Sequence, residues 1–135
     1  MRIVLDTNVL ISGIFFSGRP FEILKAWRDD KIRLVLSPEI LDEYYRTSNL
    51  LKEQFTSIDV EPILNMIAIN SDLIQAPALR EQVCDDPDDD KFLACALAGN
   101  AKVIVSGDKH LLRLSGYQGI IIVRPAKFVD EYLEH

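Results

Sequence analysis

The sequence is poor in the residues that build cross-links and zinc sites. Among its 135 residues there are only two cysteines, Cys84 and Cys95, and only two histidines, His110 and His135. Two cysteines do not make a disulfide framework, and no Cys/His quartet that could bind zinc surrounds them. Cys95 lies in an apolar run, which predicts a small, reduced core residue. A histidine-rich metal centre is excluded as well.

Long hydrophobic runs are also missing. No apolar segment approaches the ~20 residues that are needed to cross a bilayer. The short run at the start of the sequence meets Asp6 at once, which leaves no room for the apolar region of a signal peptide. We therefore expect a cytoplasmic protein without a membrane-spanning segment.

Positive charge is in the minority. The net charge is −6 and the isoelectric point lies near 4.8, which argues against a protein that holds nucleic acid by general basicity. Any phosphate group must instead be met locally, by a few Lys or Arg residues or by bound cations. With 48% hydrophobic and 27% charged residues, the composition is typical of one globular domain. We assign this domain to residues 1–132, and residues 133–135 could be the remnant of an expression tag.

Short apolar runs alternate with helical patterns along the chain. Strands are predicted at residues 2–5, 33–36, 102–105 and 119–123, with a short edge strand at 72–74. Helices are predicted at residues 7–16, 21–28, 38–47, 59–69 and 91–98, and after Pro125. In the second helix Phe21, Leu24 and Trp27 share one side, and Ser37 precedes the third helix as its N-cap. This alternation predicts an α/β fold with a parallel sheet covered on both faces.

Acidic residues follow two of the predicted strands. Asp6 comes directly after the first strand, and Asp108 comes two small residues after the strand at 102–105. Because the carboxyl ends of parallel strands meet at one edge of a sheet, both side chains should reach the same crevice. Each of them could equally be an ordinary helix N-cap.

Two helices carry further candidate acids. Asp42 and Glu43 flank the buried face of their helix about equally, so helical geometry does not choose between them. Asp90 shares a helix face with Ala94 and Leu97, whereas Lys91 is predicted to point outward. The directions of Asp88 and Asp89 in the preceding turn do not follow from the pattern. In isolation, Glu43 and the acidic run at 85–90 would be read as solvated surface.

Several carboxylates at one edge would repel each other unless a cation neutralised them. Oxygen ligands suit hard cations such as Mg²⁺ or Mn²⁺, which can lower the pKa of a bound water and stabilise charge on a phosphodiester. The sequence has no nucleophile elbow and no catalytic Cys/His signature. Metal-assisted hydrolysis is therefore the consistent chemistry.

Four segments of the chain resemble the PIN domain family, with the closest similarity to its branch of toxins from toxin–antitoxin pairs (VapC-like). The segments cover residues 3–12, 36–43, 86–96 and 104–108, and they occur in the order of the family. The resemblance implies a three-layer sandwich with a central parallel sheet and cleavage of single-stranded RNA that depends on Mg²⁺ or Mn²⁺. It also implies a cognate antitoxin and a homodimer.

The resemblance assigns roles to particular residues. It matches the catalytic and metal-binding acids to Asp6, Glu43, Asp90 and Asp108, and it prefers Glu43 over Asp42. Supporting roles are assigned to Asn8, Ser106 and Asp89. Asp86, Asp88 and Asp89 crowd the same segment as Asp90, so the choice of the metal ligand within this run stays open. Arg19 and Lys109 are candidates for contact with an RNA backbone.

Other functions compete with this reading. An aspartyl phosphotransferase would also place an aspartate after its first strand, but it would need a second acid at position 8, where the sequence has Asn8. A module that binds RNA or a protein partner without cutting is the alternative of a different class. Cleavage of DNA flaps uses related chemistry, yet it requires arch or clamp elements for which this chain has little room.

Overall fold

Parallel strands form one central sheet in the computed structural model, which describes residues 1–54 and 58–133. The strands are β1 (Arg2–Leu5), β2 (Arg33–Leu36), β3 (Asp72–Leu73), β4 (Val103–Val105) and β5 (Ile121–Val123). Their order across the sheet is β3-β2-β1-β4-β5, and every neighbouring pair is parallel. The predicted α/β architecture with a central parallel sheet is confirmed.

Helices connect the strands and cover the sheet. They are α1 (Thr7–Phe15), α2 (Arg19–Arg28), α3 (Pro38–Lys52), α4 (Val60–Asn70), α5 (Asp90–Ala98), α6 (Lys109–Leu112) and α7 (Pro125–Tyr132). Helix α5 packs on β1, β2 and β4, while α1 packs on α2 and α3. Central strand residues such as Ile3, Leu34 and Ile104 are therefore completely buried, as expected for a parallel sheet with both faces covered.

The order of the strands creates a crevice beside the central strand. The chain proceeds from β1 outward to β2 and β3, and then returns to place β4 on the other side of β1. Leu5 pairs with Val105, so the carboxyl ends of β1 and β4 are level with each other. Connections leave these two strands in opposite directions, which opens a crevice at this point of the sheet. Asp6 and the Ser106–Asp108 segment lie at its edge.

Helix α3 begins as predicted but is longer. The Oγ atom of Ser37 accepts a hydrogen bond from the backbone N–H of Ile40 at 3.3 Å, and Pro38 is the first helical residue. The helix ends at Lys52 rather than at Thr47. Its last turns are held by tertiary contacts, because Ser48 is buried and Leu51 packs against a cluster that α1 and α4 share.

Helix α2 begins at Arg19, two residues before the predicted start, and the side shared by Phe21, Leu24 and Trp27 is not its most buried side. Ile23 and Ala26 are its buried residues, whereas the side chain of Phe21 is 43% exposed. Helix α2 packs against both α1 and α7, and these neighbours cover a different side of it. The contact with α1 requires Gly13, since a Cβ atom there would lie 2.7 Å from Leu24 Cδ1.

Cys84 and Cys95 are free thiols in the protein interior. Burial raises the pKa of Cys95 to about 12, so this residue stays a neutral core thiol, as predicted. None of the helices formed by residues 1–54 and 58–133 combines the length and the hydrophobicity that crossing a bilayer demands. The proposed tag remnant includes residues 134 and 135, which lie outside the described residues.

Candidate active site

A buried serine joins the two aspartates at the carboxyl ends of β1 and β4. Ser106 Oγ donates a hydrogen bond to Asp6 Oδ2 at 2.7 Å and accepts one from the backbone N–H of Asp108 at 3.0 Å. The backbone N–H of Asp6 is bound to the carbonyl oxygen of Val105, as a continuation of the β1–β4 pairing. The sheet therefore brings Asp6, Ser106 and Asp108 together from positions about 100 residues apart in the sequence.

Helix capping explains only part of this arrangement. Asp108 Oδ1 accepts a hydrogen bond from the backbone N–H of His110 at 2.9 Å, so Asp108 does cap α6. Asp86 caps the turn at residues 87–89 in the same way. Asp6 precedes α1 but makes no capping hydrogen bond with its side chain. The ordinary capping role therefore does not account for the buried carboxylate of Asp6.

Glu43 points toward the crevice and Asp42 points away from it. The carboxylate of Glu43 accepts hydrogen bonds from the hydroxyl of Thr7 and from Lys91 Nζ, the latter at 2.6 Å. Asp42 is 67% exposed and pairs with Arg46 on the same helix. The structure thus separates two acids that helical geometry left open. The prediction that Lys91 points outward is wrong, because its side chain is only 12% exposed and also contacts Asp88.

Asp90 is held by the backbone of the preceding loop, and its surroundings differ from those of the other predicted metal ligands. Its carboxylate accepts hydrogen bonds from the backbone N–H groups of Val83, at 3.1 Å, and Cys84, at 2.7 Å. Burial alone would raise the pKa of Asp90, but the hydrogen bonds from Cys84 and Val83 outweigh it and lower this pKa. Asp90 therefore fastens the 83–84 segment to the start of α5.

Asp89 is the residue of the acidic run on which the charges of Asp6, Asp108 and Glu43 act. The pKa of Asp89 is raised to about 6, mainly by burial and in addition by the negative charges of Asp6, Asp86, Asp108 and Glu43. Asp89 is the last residue of the 3₁₀ turn at residues 87–89, and Asp90 is the first residue of α5. Asp86 followed by Pro87 is a pattern typical of a helix start, whereas the backbone N–H groups that bind Asp90 are provided by tertiary structure and do not follow from the sequence.

The acids at the crevice repel one another. Burial raises the pKa of Asp6, the charges of Asp108 and Glu43 add to the rise, and the hydrogen bonds from Ser106 and Thr7 oppose it. Asp6 and Asp89 both experience the charges of Asp108 and Glu43. We call these four residues, Asp6, Glu43, Asp89 and Asp108, the acid cluster.

The acid cluster suits a hard divalent cation in the chemistry of its donors, which are all carboxylate oxygens. The mutual repulsion is the electrostatic condition that such a cation would relieve. In residues 1–54 and 58–133, however, no three acidic, thiol or imidazole side chains are already arranged to hold an ion.

The remaining predicted residues have different surroundings. Asn8 lies exposed in the first turn of α1, and its side chain makes no hydrogen bond within the described residues, so Asp6 is supported by Ser106 instead. Lys109 is exposed directly beside Asp108. Arg19 is paired with Asp130 of α7 and with Glu22. These contacts turn Arg19 toward α7.

Arg124 is a cation at the crevice that the sequence analysis missed. Its Nη1 atom donates a hydrogen bond to the carbonyl oxygen of Gly107 at 3.3 Å, next to Asp108. The residue is exposed and directly follows β5. Its position after the strand next to β4 could have indicated it, by the same rule that indicated Asp108.

Tyr44 fixes the end of β1 to α3, and its hydroxyl offers a test of that link. The side chain is completely buried and donates a hydrogen bond to the carbonyl oxygen of Leu5 at 2.6 Å. We expect Tyr44→Phe to lower the free energy of unfolding by about 1 kcal/mol, because it leaves a buried carbonyl without this donor. Urea unfolding measures the change. Tyr45→Phe is the matched control, since its hydroxyl bonds to Asn65 at the surface; equal effects of both substitutions would contradict the assignment.

A solved structure shares this fold, and a known protein and a family profile match the sequence. The crystal structure of VapBC2 from Rickettsia felis, which is bound to a DNA fragment from the VapBC2 promoter, contains a chain with the same fold. The TM-score is 0.54 and the sequence identity 19%, and the match covers 92% of this chain and 98% of that chain. That likeness concerns the fold. An uncharacterized protein of Methanocaldococcus jannaschii is 28% identical over 143 aligned residues, which span 98% of this chain and 92% of the relative. The sequence profile of the PIN domain matches residues 2–110, a range that contains the whole acid cluster, and the chain therefore belongs to the PIN domain family.

Proposed function

We propose that this protein is an endoribonuclease that hydrolyses single-stranded RNA with the help of Mg²⁺ or Mn²⁺ at the acid cluster. The observation that carries the proposal is the link between Asp6 and Asp108 through Ser106 at the crevice between β1 and β4. Asp89 and Glu43 add their negative charges at the same place. The proposal keeps Asp6, Glu43 and Asp108 as predicted metal ligands and replaces Asp90 by Asp89.

Neighbouring side chains position the carboxylates that would hold the ion. Ser106 fixes the carboxylate of Asp6, and Thr7 orients that of Glu43. A divalent ion bound by the acid cluster would supply a water of lowered pKa and stabilise negative charge on the phosphodiester. No side chain is required as a covalent nucleophile.

Local rather than general positive charge would hold a single-stranded RNA substrate. With a net charge of −6, the chain has no general excess of basic residues that could hold a duplex along its length. Lys109 and Arg124 are exposed beside Asp108 and could contact the phosphates that flank the cleaved bond. Arg19 is omitted from this role because of its pairing with Asp130.

We include in the proposal that the protein acts in the cytoplasm as the toxin of a toxin–antitoxin pair, with a cognate antitoxin and as a homodimer. The resemblance to VapC-like toxins and the common fold with a chain of VapBC2 support this part. An apolar groove of about 260 Å³ between α2 and α4 is lined by Phe21, Leu24, Trp27 and Met66. Exposed apolar surface of this kind is suited to a protein partner.

The experiment that tests the function is the cleavage of end-labelled single-stranded RNA by the purified chain. We expect cleavage with Mg²⁺ or Mn²⁺, no cleavage with EDTA, and a loss of at least about 100-fold in Asp6→Asn, which keeps the size of the side chain and removes its charge. Asp42→Asn is the matched control, since Asp42 is exposed and paired with Arg46 on α3. It should cleave like the parent protein.

Two outcomes would contradict the proposal. Cleavage that survives Asp6→Asn would mean that another site, or a contaminating nuclease, is responsible. Failure to cleave any RNA under conditions in which Mn²⁺ is bound would favour the alternative function, a module that binds RNA or protein without cutting it.

A further inference from the structure

Lys91 places a positive charge inside the acid cluster. Its Nζ atom lies 2.6 Å from Glu43 Oε1 and 2.8 Å from Asp88 Oδ2, and its side chain is largely buried. The ammonium group also lies 5.5 Å from the centre of the Phe92 ring. These contacts hold the lysine in one position, between α3 and the start of α5.

The contact with Lys91 occupies the carboxylate that a metal ion would need. One oxygen of Glu43 is bound to Lys91, and the other accepts the hydroxyl of Thr7. The carboxylate that α3 brings to the crevice is therefore already neutralised.

We propose that Lys91 is a built-in counter-cation that neutralises Glu43 in the metal-free protein and competes with the divalent ion for this carboxylate. The inference rests on the proposed metal site and goes beyond it, because it assigns a residue that limits the affinity for the ion. Both cations are attracted by the single negative charge of Glu43, and the ammonium group repels a divalent ion that is bound beside it. Binding of the ion therefore weakens the pairing of Lys91 with Glu43, while the contact of Lys91 with Asp88 on the exposed side can remain.

The affinity for Mn²⁺ is the first test of this competition. Titration calorimetry on the EDTA-treated and dialysed protein should give at least about tenfold tighter binding for Lys91→Met than for the parent protein, because a competing positive charge is removed. Methionine keeps most of the length of the buried stem. Lys102→Met is the matched control: it removes the same charge from an exposed position before β4, at the end of the strand opposite Asp108, and its effect should stay below about threefold.

The ion pair itself is tested without metal. Urea unfolding in EDTA of the parent protein, Lys91→Met, Glu43→Gln and the double variant forms a double-mutant cycle. We expect the effects on the unfolding equilibrium constant to deviate from multiplicativity by at least about fivefold, because the two side chains are in direct contact and shielded from solvent. If Lys91→Met does not fold, Lys91→Gln takes its place in both experiments.

The outcomes separate this inference from the proposed function. Unchanged or weaker Mn²⁺ binding by the lysine variant, with normal binding by the parent protein, would overturn the competition and leave the ribonuclease proposal intact. Independent effects in the cycle would show that Lys91 does not neutralise Glu43, which also overturns the inference. If neither the parent protein nor the variant binds Mn²⁺, the metal site fails together with the competition, even where the cycle confirms the ion pair.

Discussion

Replacing Asp89 by asparagine should reduce the cleavage of single-stranded RNA by at least about 100-fold, whereas the same change at Asp90 should leave it within about tenfold of the parent protein. Asp89 shares the crevice with Asp6, Asp108 and Glu43, so its charge is part of what would hold a cation there. Asp90 instead binds the backbone N–H groups of Val83 and Cys84. The two neighbours therefore have separate roles in metal binding and in loop structure.

The free energy of unfolding should respond in the reverse order, with the larger loss in the Asp90 variant. Asp90→Asn should lower the free energy of unfolding by about 1–3 kcal/mol, because two backbone donors lose a charged acceptor. Asp89→Asn should not destabilise the metal-free protein. Single-turnover cleavage assays and urea unfolding of both variants measure the two effects. A large loss of cleavage in Asp90→Asn with full stability would return the ligand role to Asp90, as first predicted.

Metal ions should stabilise the folded protein strongly, and this effect is the second large prediction. At a concentration of one hundred times the dissociation constant, a ligand that binds only the folded state adds about 2.7 kcal/mol to the free energy of unfolding. Thermal unfolding with Mn²⁺ should therefore occur roughly 10 °C higher than in EDTA. Asp6→Asn and Asp89→Asn should lose most of this shift, because each removes one of the carboxylates that bind the ion.

The metal-free protein should become more stable as the pH falls from 7.5 to 5. The pKa of Asp89 is about 6 in the folded protein, compared with an ordinary value of 3.8. As the pH falls, the folded protein therefore binds this proton at a higher pH than the unfolded chain does, which stabilises the fold. The destabilisation by the Asp89 charge is complete above pH 6 and disappears as the pH falls toward 4. Burial raises the pKa of Asp6 too, and its effect has the same sign.

The measurement is the thermal midpoint in EDTA at pH 5 and at pH 7.5. Because Asp89 is partly exposed, solvent screens the repulsion, and we expect a difference of about 1 kcal/mol, which corresponds to roughly 4 °C. Asp89→Asn should be more stable than the parent protein at pH 7.5 and should show a weaker dependence on pH. If the thermal midpoint changed between pH 7.5 and pH 5 by the same amount in the parent protein and in Asp89→Asn, this account would be contradicted.

Local physics accounts for what the sequence predicted correctly. Buried parallel strands need continuous apolar runs, which is why 33–36 and 102–105 were visible as strands, and Ser37 followed by Pro38 has a specific geometry at a helix start. Asp6 and Asp108 follow such strands directly, so their convergence required no knowledge of side-chain packing. The match to a known family supplied the preference for Glu43 over Asp42.

Side-chain direction at the crevice was decided by contacts between distant parts of the chain. Lys91 turns inward because α3 presents Glu43 opposite the first turn of α5. Asp90 turns away because the loop before the helix offers it two backbone N–H groups. The buried face of α2 likewise depends on α1 and α7, which lie on either side of it.

The sequence by itself thus determined the α/β class, the parallel sheet and the edge at which Asp6 and Asp108 meet, because strand periodicity and the polarity of parallel strands are local or topological properties. The tertiary structure decided that Asp89 rather than Asp90 joins them, and that Lys91 neutralises Glu43. Those choices depend on where a carboxylate finds its nearest donors, and the donors come from residues that are close only after the chain has folded.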